Sequence, residues 1–153
     1  MRALGTVVGL LVATVVGCTR TSPVVEARPR YGAVMSEVGQ RFERAGRAAS
    51  AGRFELAAFE AGELDELFRE DLPRADLPKE GASASLPAEA DAFVKAYPAR
   101  LKKAAAARDL PAFSDAFRDA AIACNACHAA SGHGFIEIPT ALGKPVPSLD
   151  PAP

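Results

Sequence analysis

Between Arg30 and Gly132 the apolar positions return every three or four residues, in four successive stretches. The first begins at Arg30 and puts Tyr31, Val34, Met35, Val38, Phe42, Ala45 and Ala49 on one side, the 3, 4, 7 spacing of an amphipathic helix. Gly52 suits its end, because glycine enters the left-handed conformation that closes a helix without steric cost. The second stretch, from about Arg53 to Asp71, carries Phe54, Ala57, Ala61, Leu64, Leu67 and Phe68 on one side. Gly62 inside it costs about 1 kcal/mol relative to Ala and is read as a point of close packing. The third covers Ala88 to Arg108, with Phe93, Val94, Tyr97, Leu101 and Ala105 as its stripe. Pro98 lies within it, removing a backbone donor and clashing with the preceding turn, so a kink or break is predicted there. The fourth stretch is the cleanest. Pro111 suits a first turn; Phe113, Ala116, Phe117, Ala120, Cys124, Cys127 and His128 share a face; Gly132 is a natural stop.

Short links between neighbours favour an up-down-up-down order, so the pattern predicts an all-α, antiparallel four-helix bundle over residues 30–132. Leu72 to Pro87, with three prolines, a glycine and two serines, reads as a loop. The tail over 133–153 has five prolines after Phe135-Ile136-Glu137-Ile138. It is expected to be extended, partly packed near the same end of the bundle as residues 124–128 and partly loose.

Ahead of the periodic region, residues 1–17 have the form of a signal peptide: Arg2, then an apolar run from Ala3 to Val16. That run is shorter than the roughly 20 residues a helix needs to span a bilayer. Val15-Val16-Gly17-Cys18 resembles a bacterial lipobox, which implies cleavage before Cys18 and a lipidated mature terminus; ordinary signal cleavage nearby is the alternative. Residues 18–29, polar and bounded by prolines, read as a tether. The expectation is an exported protein facing the periplasm and held to the membrane through Cys18.

Composition agrees with a helical domain. The chain is 49% hydrophobic but only 7% aromatic, without Trp, and alanine, the best helix former, supplies much of the apolar content. Lys and Arg number 18 against 19 Asp and Glu, with no basic cluster, which argues against nucleic-acid binding. Glu55, Glu60, Glu63, Asp65, Glu66, Glu70 and Asp71 concentrate acid in the second helix. Such a run is either a solvated face or a surface that steers a basic redox partner.

Of three cysteines, two stand in Cys124-Asn125-Ala126-Cys127-His128. On a helix, positions i, i+3 and i+4 lie on one face. The motif can therefore present two thiols and an imidazole to one edge of a porphyrin, and C-x-x-C-H is the signature of covalent haem c attachment. The histidine would bind iron in its neutral form, its other ring nitrogen finding an acceptor. Three rival readings stand beside this one. A thioredoxin-like pair needs its cysteines at a helix start after a strand. A zinc site would use Cys124, Cys127, His128 and His133, crowded into ten residues. A disulfide between Cys124 and Cys127 would make the chain a helical lipoprotein without redox role.

A single C-x-x-C-H at the end of the last of four helices resembles the cytochrome c-prime and cytochrome c-556 group. The resemblance covers about residues 30–132 and implies a bundle holding one haem near its open end. Its members often carry a basic residue four after the haem histidine, where this chain has Gly132, and the tail here is longer than is usual among them. Candidates for the sixth position on iron are Met35 and His133. In an antiparallel bundle Met35, near the start of the first helix, lies level with His128, near the end of the fourth; His133 lies on the same side of the haem as His128. The c-556-like members use such a first-helix methionine. His/Met ligation suits electron transfer, whereas a vacant face, as in c-prime, would admit nitric oxide or carbon monoxide. That face is expected to be lined by Met35, Val38, Leu67, Phe68, Phe93 and Val94. The resemblance also implies a homodimer through the first two helices and a partner protein for electron exchange. Ser114 and Asp115 have no histidine near them in sequence, and no catalytic constellation or nucleotide-binding loop is visible, so no enzymatic activity is expected.

Overall fold

The structure, a computed structural model, describes residues 27–77 and 86–144. The predicted signal peptide, Cys18 and most of the tether lie outside the described residues, as does the tail beyond Lys144. Among the described residues five α-helices follow in order: α1 (Tyr31–Ser50), α2 (Phe54–Glu66), α3 (Leu86–Ala96), α4 (Pro98–Ala106) and α5 (Leu110–Ala130). The third helix of the sequence reading is divided at Pro98, as its missing donor requires. Backbone bonds from Tyr97 to Phe93 (3.0 Å) and from Leu101 to Tyr97 (3.1 Å) tie the single intervening residue to the helix on either side. α3 and α4 thus act as two halves of one rod, and four helices pack on one another. α1 contacts α2 and α5, and α4 contacts α2 and α5, which closes the ring.

Only Ala51–Arg53 join α1 to α2. Such a link spans about 10 Å at full extension and cannot return along a helix of about 30 Å, so α2 runs back along α1. The same holds for α4 and α5, joined by Ala107–Asp109. Gly52 (φ 71°) and Gly132 (φ 79°) take the left-handed conformation just past α1 and α5, the two stops read from the sequence. At the start of α5, Oδ1 of Asp109 accepts from the backbone N–H of Ala112 at 3.0 Å, capping a helix end that would otherwise leave its first donors unmet.

Two boundaries differ from the sequence reading. α2 gives way after Glu66 to a π turn (Leu67–Asp71) and a 3-10 turn (Leu72–Arg74). Pro73 provides a reason: its ring would clash with the carbonyl one α-turn earlier, and a wider turn relieves that. α3 starts at Leu86, inside the predicted loop, and Leu86 is buried.

The core is built from small residues and a few rings. Ala45, Ala49, Ala57, Ala61 and Ala120 are completely buried, letting the helices approach closely, and Phe113, Leu64 and Leu101 fill the remaining space. Gly62 is not the point of close packing, since a Cβ there would meet nothing within 4 Å. Gly46 is: a Cβ on it would lie 2.7 Å from Cε2 of Phe117, which stacks on Phe42 with ring centroids 4.1 Å apart.

The acidic residues of the second helix are largely consumed within the bundle. Glu60, only 4% exposed, sits between Arg41 (3.2 Å) and Arg44 (3.3 Å) of α1. Glu63 pairs with Arg41, Glu55 with Arg108, and Asp71 with Arg74. Asp65 binds Arg69 at 2.8 Å and Lys102 of α4 at 3.1 Å. Partial burial pushes the Asp65 carboxyl up, but the bonds from Lys102 and Arg69 outweigh it and hold the group below its ordinary value. A depressed carboxylate contributes stability above its unfolded pKa of about 4 and loses it as pH falls through the lower folded value. Asp65→Asn is therefore expected to cost about 0.5–1 kcal/mol at pH 7. The difference should shrink towards pH 2. Thermal unfolding of both chains across that range checks it; a gap that widens in acid would refute the assignment.

Candidate functional site

The last two turns of α5 carry Cys124, Cys127 and His128. All three line a half-open, apolar cavity of about 340 Å³. Its other walls come from Tyr31 and Met35 on α1, Phe68 and Leu72 in the turns after α2, and Phe93 and Tyr97 from the third rod. The start of α1 is brought here in part by Asp76, whose N–H donates to the Pro29 carbonyl at 3.0 Å, so the chain entering α1 is tied to the chain leaving α2. Phe68 stacks on Phe93 (4.4 Å between centroids), and Phe93 leans on Tyr97 (5.1 Å).

The sequence placed Met35, Phe68 and Phe93 at this cavity, and they are there. Val38, Leu67 and Val94 do not line it. Val38 is core; Val94 faces a neighbouring cavity of about 650 Å³; and Leu72, four residues beyond Phe68, lines the wall where Leu67 was expected. Tyr31 and Tyr97 were read as core stripe, since periodicity does not distinguish a core position from a cavity wall. Glu89 was not singled out at all.

His128 is held from outside the helix. Its Nδ1 lies 2.8 Å from the carbonyl oxygen of Ile136. A carbonyl only accepts, so Nδ1 carries the proton, and in the neutral ring the lone pair is on Nε2. This is the acceptor the sequence reading required. The helix end is secured by the N–H of His133 and the hydroxyl of Ser131, which both donate to the His128 carbonyl (2.7 and 3.1 Å). His133 itself does not line the cavity; its Nδ1 is 3.3 Å from Oγ of Ser131 and its ring lies 6.0 Å from that of Phe135.

Both cysteines are unbonded thiols. Burial, followed by the nearby Cys127 sulfur, pushes Cys124 up to about 12. Burial, a hydrogen bond to Glu89 and the charge of that carboxylate push Cys127 up to about 12. Tyr31 is likewise raised to about 12, by burial first, then by Cys127 and Glu89. Protonated thiols late in a helix are the opposite of the low-pKa pair at a helix start that thiol-disulfide exchange uses. Nor do the four residues of the zinc reading assemble: among the described residues no three His, Cys, Asp or Glu side chains converge as a metal cluster. No described helix is long and apolar enough to cross a membrane. No family model, curated protein or solved structure matches this chain.

Proposed function

We propose that this chain is an exported monohaem c-type cytochrome that carries single electrons. Cys124 and Cys127 would hold haem c through thioether bonds, and Nε2 of His128 would bind the iron. The observation that carries this reading is the pairing of the C-x-x-C-H face with an apolar cavity, while Nδ1 of His128 donates to the Ile136 carbonyl. A ligating imidazole characteristically gives its second N–H to a carbonyl or carboxylate, which fixes the tautomer and strengthens the donor nitrogen. Two further features fit the group. The lining is almost entirely apolar, as a tetrapyrrole face requires. The two thiols and the imidazole share a face without converging on a point, which suits a broad planar ring better than a bare metal ion. Bound haem would supply the one-electron couple; the chain's own residues anchor it, orient His128 and keep water from its faces.

Met35 is proposed as the sixth ligand, since it lines the same cavity as His128 from the neighbouring helix α1. A His/Met pair raises the potential and leaves no vacancy, which is the basis for electron transfer over gas binding. The signal-like residues 1–17 and Cys18 support delivery to the periplasm with a lipid anchor, and electron exchange with a partner protein there.

The test is to express the chain with its own leader in a host that attaches haem, then to record reduced spectra with and without carbon monoxide. A c-type spectrum unmoved by carbon monoxide is expected, with the Soret band of Met35→Ala shifting fully on addition of the gas. A wild-type spectrum that shifts at once would make the chain a gas-binding protein of the c-prime kind. A chain without covalent haem would sink the proposal.

A further inference from the structure

Beyond Gly132, where the likeness to the four-helix cytochromes ends, the described part of the tail, residues 133–144, does not leave the bundle. It turns back along the end of α5, and Asn125, the first of the two intervening residues in the C-x-x-C-H motif, grips it. Nδ2 of Asn125 donates to the Ile138 carbonyl at 2.9 Å, and the Ile138 N–H donates to Oδ1 of Asn125 at 2.7 Å. One side-chain amide thus satisfies both backbone groups of a single residue, as a neighbouring strand would. Ile138 is 6% exposed and belongs to the core cluster, with Ile136 packed against it. Two residues before this clamp, the Ile136 carbonyl meets Nδ1 of His128 at 2.8 Å.

These contacts form one unit. Asn125 and His128 are three positions apart on α5 and so lie on the same face. Ile136 and Ile138 are two apart, just past a turn that the Ile136 N–H closes on the His133 carbonyl at 2.8 Å. Fixing the second of each pair limits where the first can go. An isolated carbonyl on a loop would satisfy an imidazole only part of the time. A carbonyl two residues from a paired, buried clamp is preorganised. We propose that Asn125 is a positioning residue: by clamping the tail at Ile138 it holds the Ile136 carbonyl on His128, fixing the tautomer of that histidine and its strength as a donor. The tail is then a strap on the His128 side of the site, made by the part of the chain that the helical pattern does not cover. The inference about tautomer stands on the chain alone; its effect on iron rests on the haem reading above.

Asn125→Ala tests it. In the full chain the Ile138 amide should exchange with solvent about tenfold faster or more, the effect of losing one to two hydrogen bonds. ¹⁵N NMR should show one Nδ1–H tautomer of His128 in the wild type and a mixture in the variant. In the haem-loaded protein the reduction potential should move to a more positive value, because a weaker histidine donor stabilises ferric iron less. Asn125→Gln, which keeps both hydrogen-bonding groups, should return part of each shift, and Asn125→Ser, which cannot span both backbone groups, serves if the alanine chain does not accumulate. An unchanged Ile138 amide would overturn the clamp. A loosened tail with unchanged tautomer and potential would overturn the coupling to His128. Absence of haem from the wild type would remove the functional proposal, while the ¹⁵N measurement on that haem-free chain would still decide the strap: tautomers that differ between wild type and variant support it, and identical ones overturn it.

Discussion

Replacing Cys124 and Cys127 together with alanine is expected to remove covalent haem completely, leaving a protein that no longer stains for haem after denaturing electrophoresis. The sequence contains only three cysteines, and the third, Cys18, stands ahead of the helical domain. No other thiol in the bundle could form a thioether. Both side chains line the apolar cavity with His128, so their loss leaves the imidazole and nonpolar contacts as the means of retaining the group. Haem held in that way is released by acidified acetone, whereas thioether-linked haem is not. Either single replacement should leave one attachment point and an intermediate yield. The bundle should survive, because Cys124 stands only at the edge of the core cluster, Cys127 lies outside it, and alanine is a strong helix former. Circular dichroism of the double variant checks that loss of haem is not loss of fold. Covalent haem persisting in the double variant would mean that the motif has been assigned the wrong chemistry.

How far the site could be read from the sequence depended on the range of the interaction. The helix face that joins Cys124, Cys127 and His128 is a local property, fixed by 3.6-residue geometry, and it was legible. So were the stops at Gly52 and Gly132 and the break at Pro98, each of which follows from the backbone chemistry of one residue. Asp109 was legible in principle: an aspartate two residues before Pro111 is a common helix opening, and its side chain does cap α5. Met35 reached the cavity because an antiparallel bundle brings the start of its first helix level with the end of its last.

What was missed required contacts between distant parts of the chain or a departure from regular geometry. The helical turns run on past Asp71 to Arg74, so Leu72, read as the start of a loop, stands four residues beyond Phe68 in the cavity wall. Glu89 belongs to no motif in the sequence, yet it stands in the cavity wall beside Cys127. Asn125 filled a variable place within the motif, and nothing in its neighbours signals a partner thirteen positions away. Likewise, nothing near Gly46 in the sequence signals that the ring of Phe117 lies across it.

That last contact carries the largest expected loss of stability. Phe117 is 2% exposed, stacked on Phe42 and 6.5 Å from the ring of Phe113, with its edge against the bare backbone of Gly46. Cutting it to alanine removes the ring from the contact between α5 and α1 and leaves a void bounded by residues that can collapse only partly. Phe117→Ala is expected to cost about 3–5 kcal/mol, a large share of the roughly 5–15 kcal/mol typical of a domain, and to lower the unfolding midpoint by about 10–20 °C. Because Phe117 does not line the cavity, the spectrum of the folded protein should be unchanged. Gly46→Ala attacks the same contact from the other side, and its added methyl, too close to the ring, should cost about 1–3 kcal/mol. The two effects should not add. Without the ring, that methyl has space and fills part of the void, so the double variant should be more stable than the sum of the single losses predicts, by about 1 kcal/mol or more. Denaturant unfolding of the four chains measures that coupling directly. Strict additivity would mean that Gly46 does not make room for Phe117, and that α1 and α5 approach one another for some other reason.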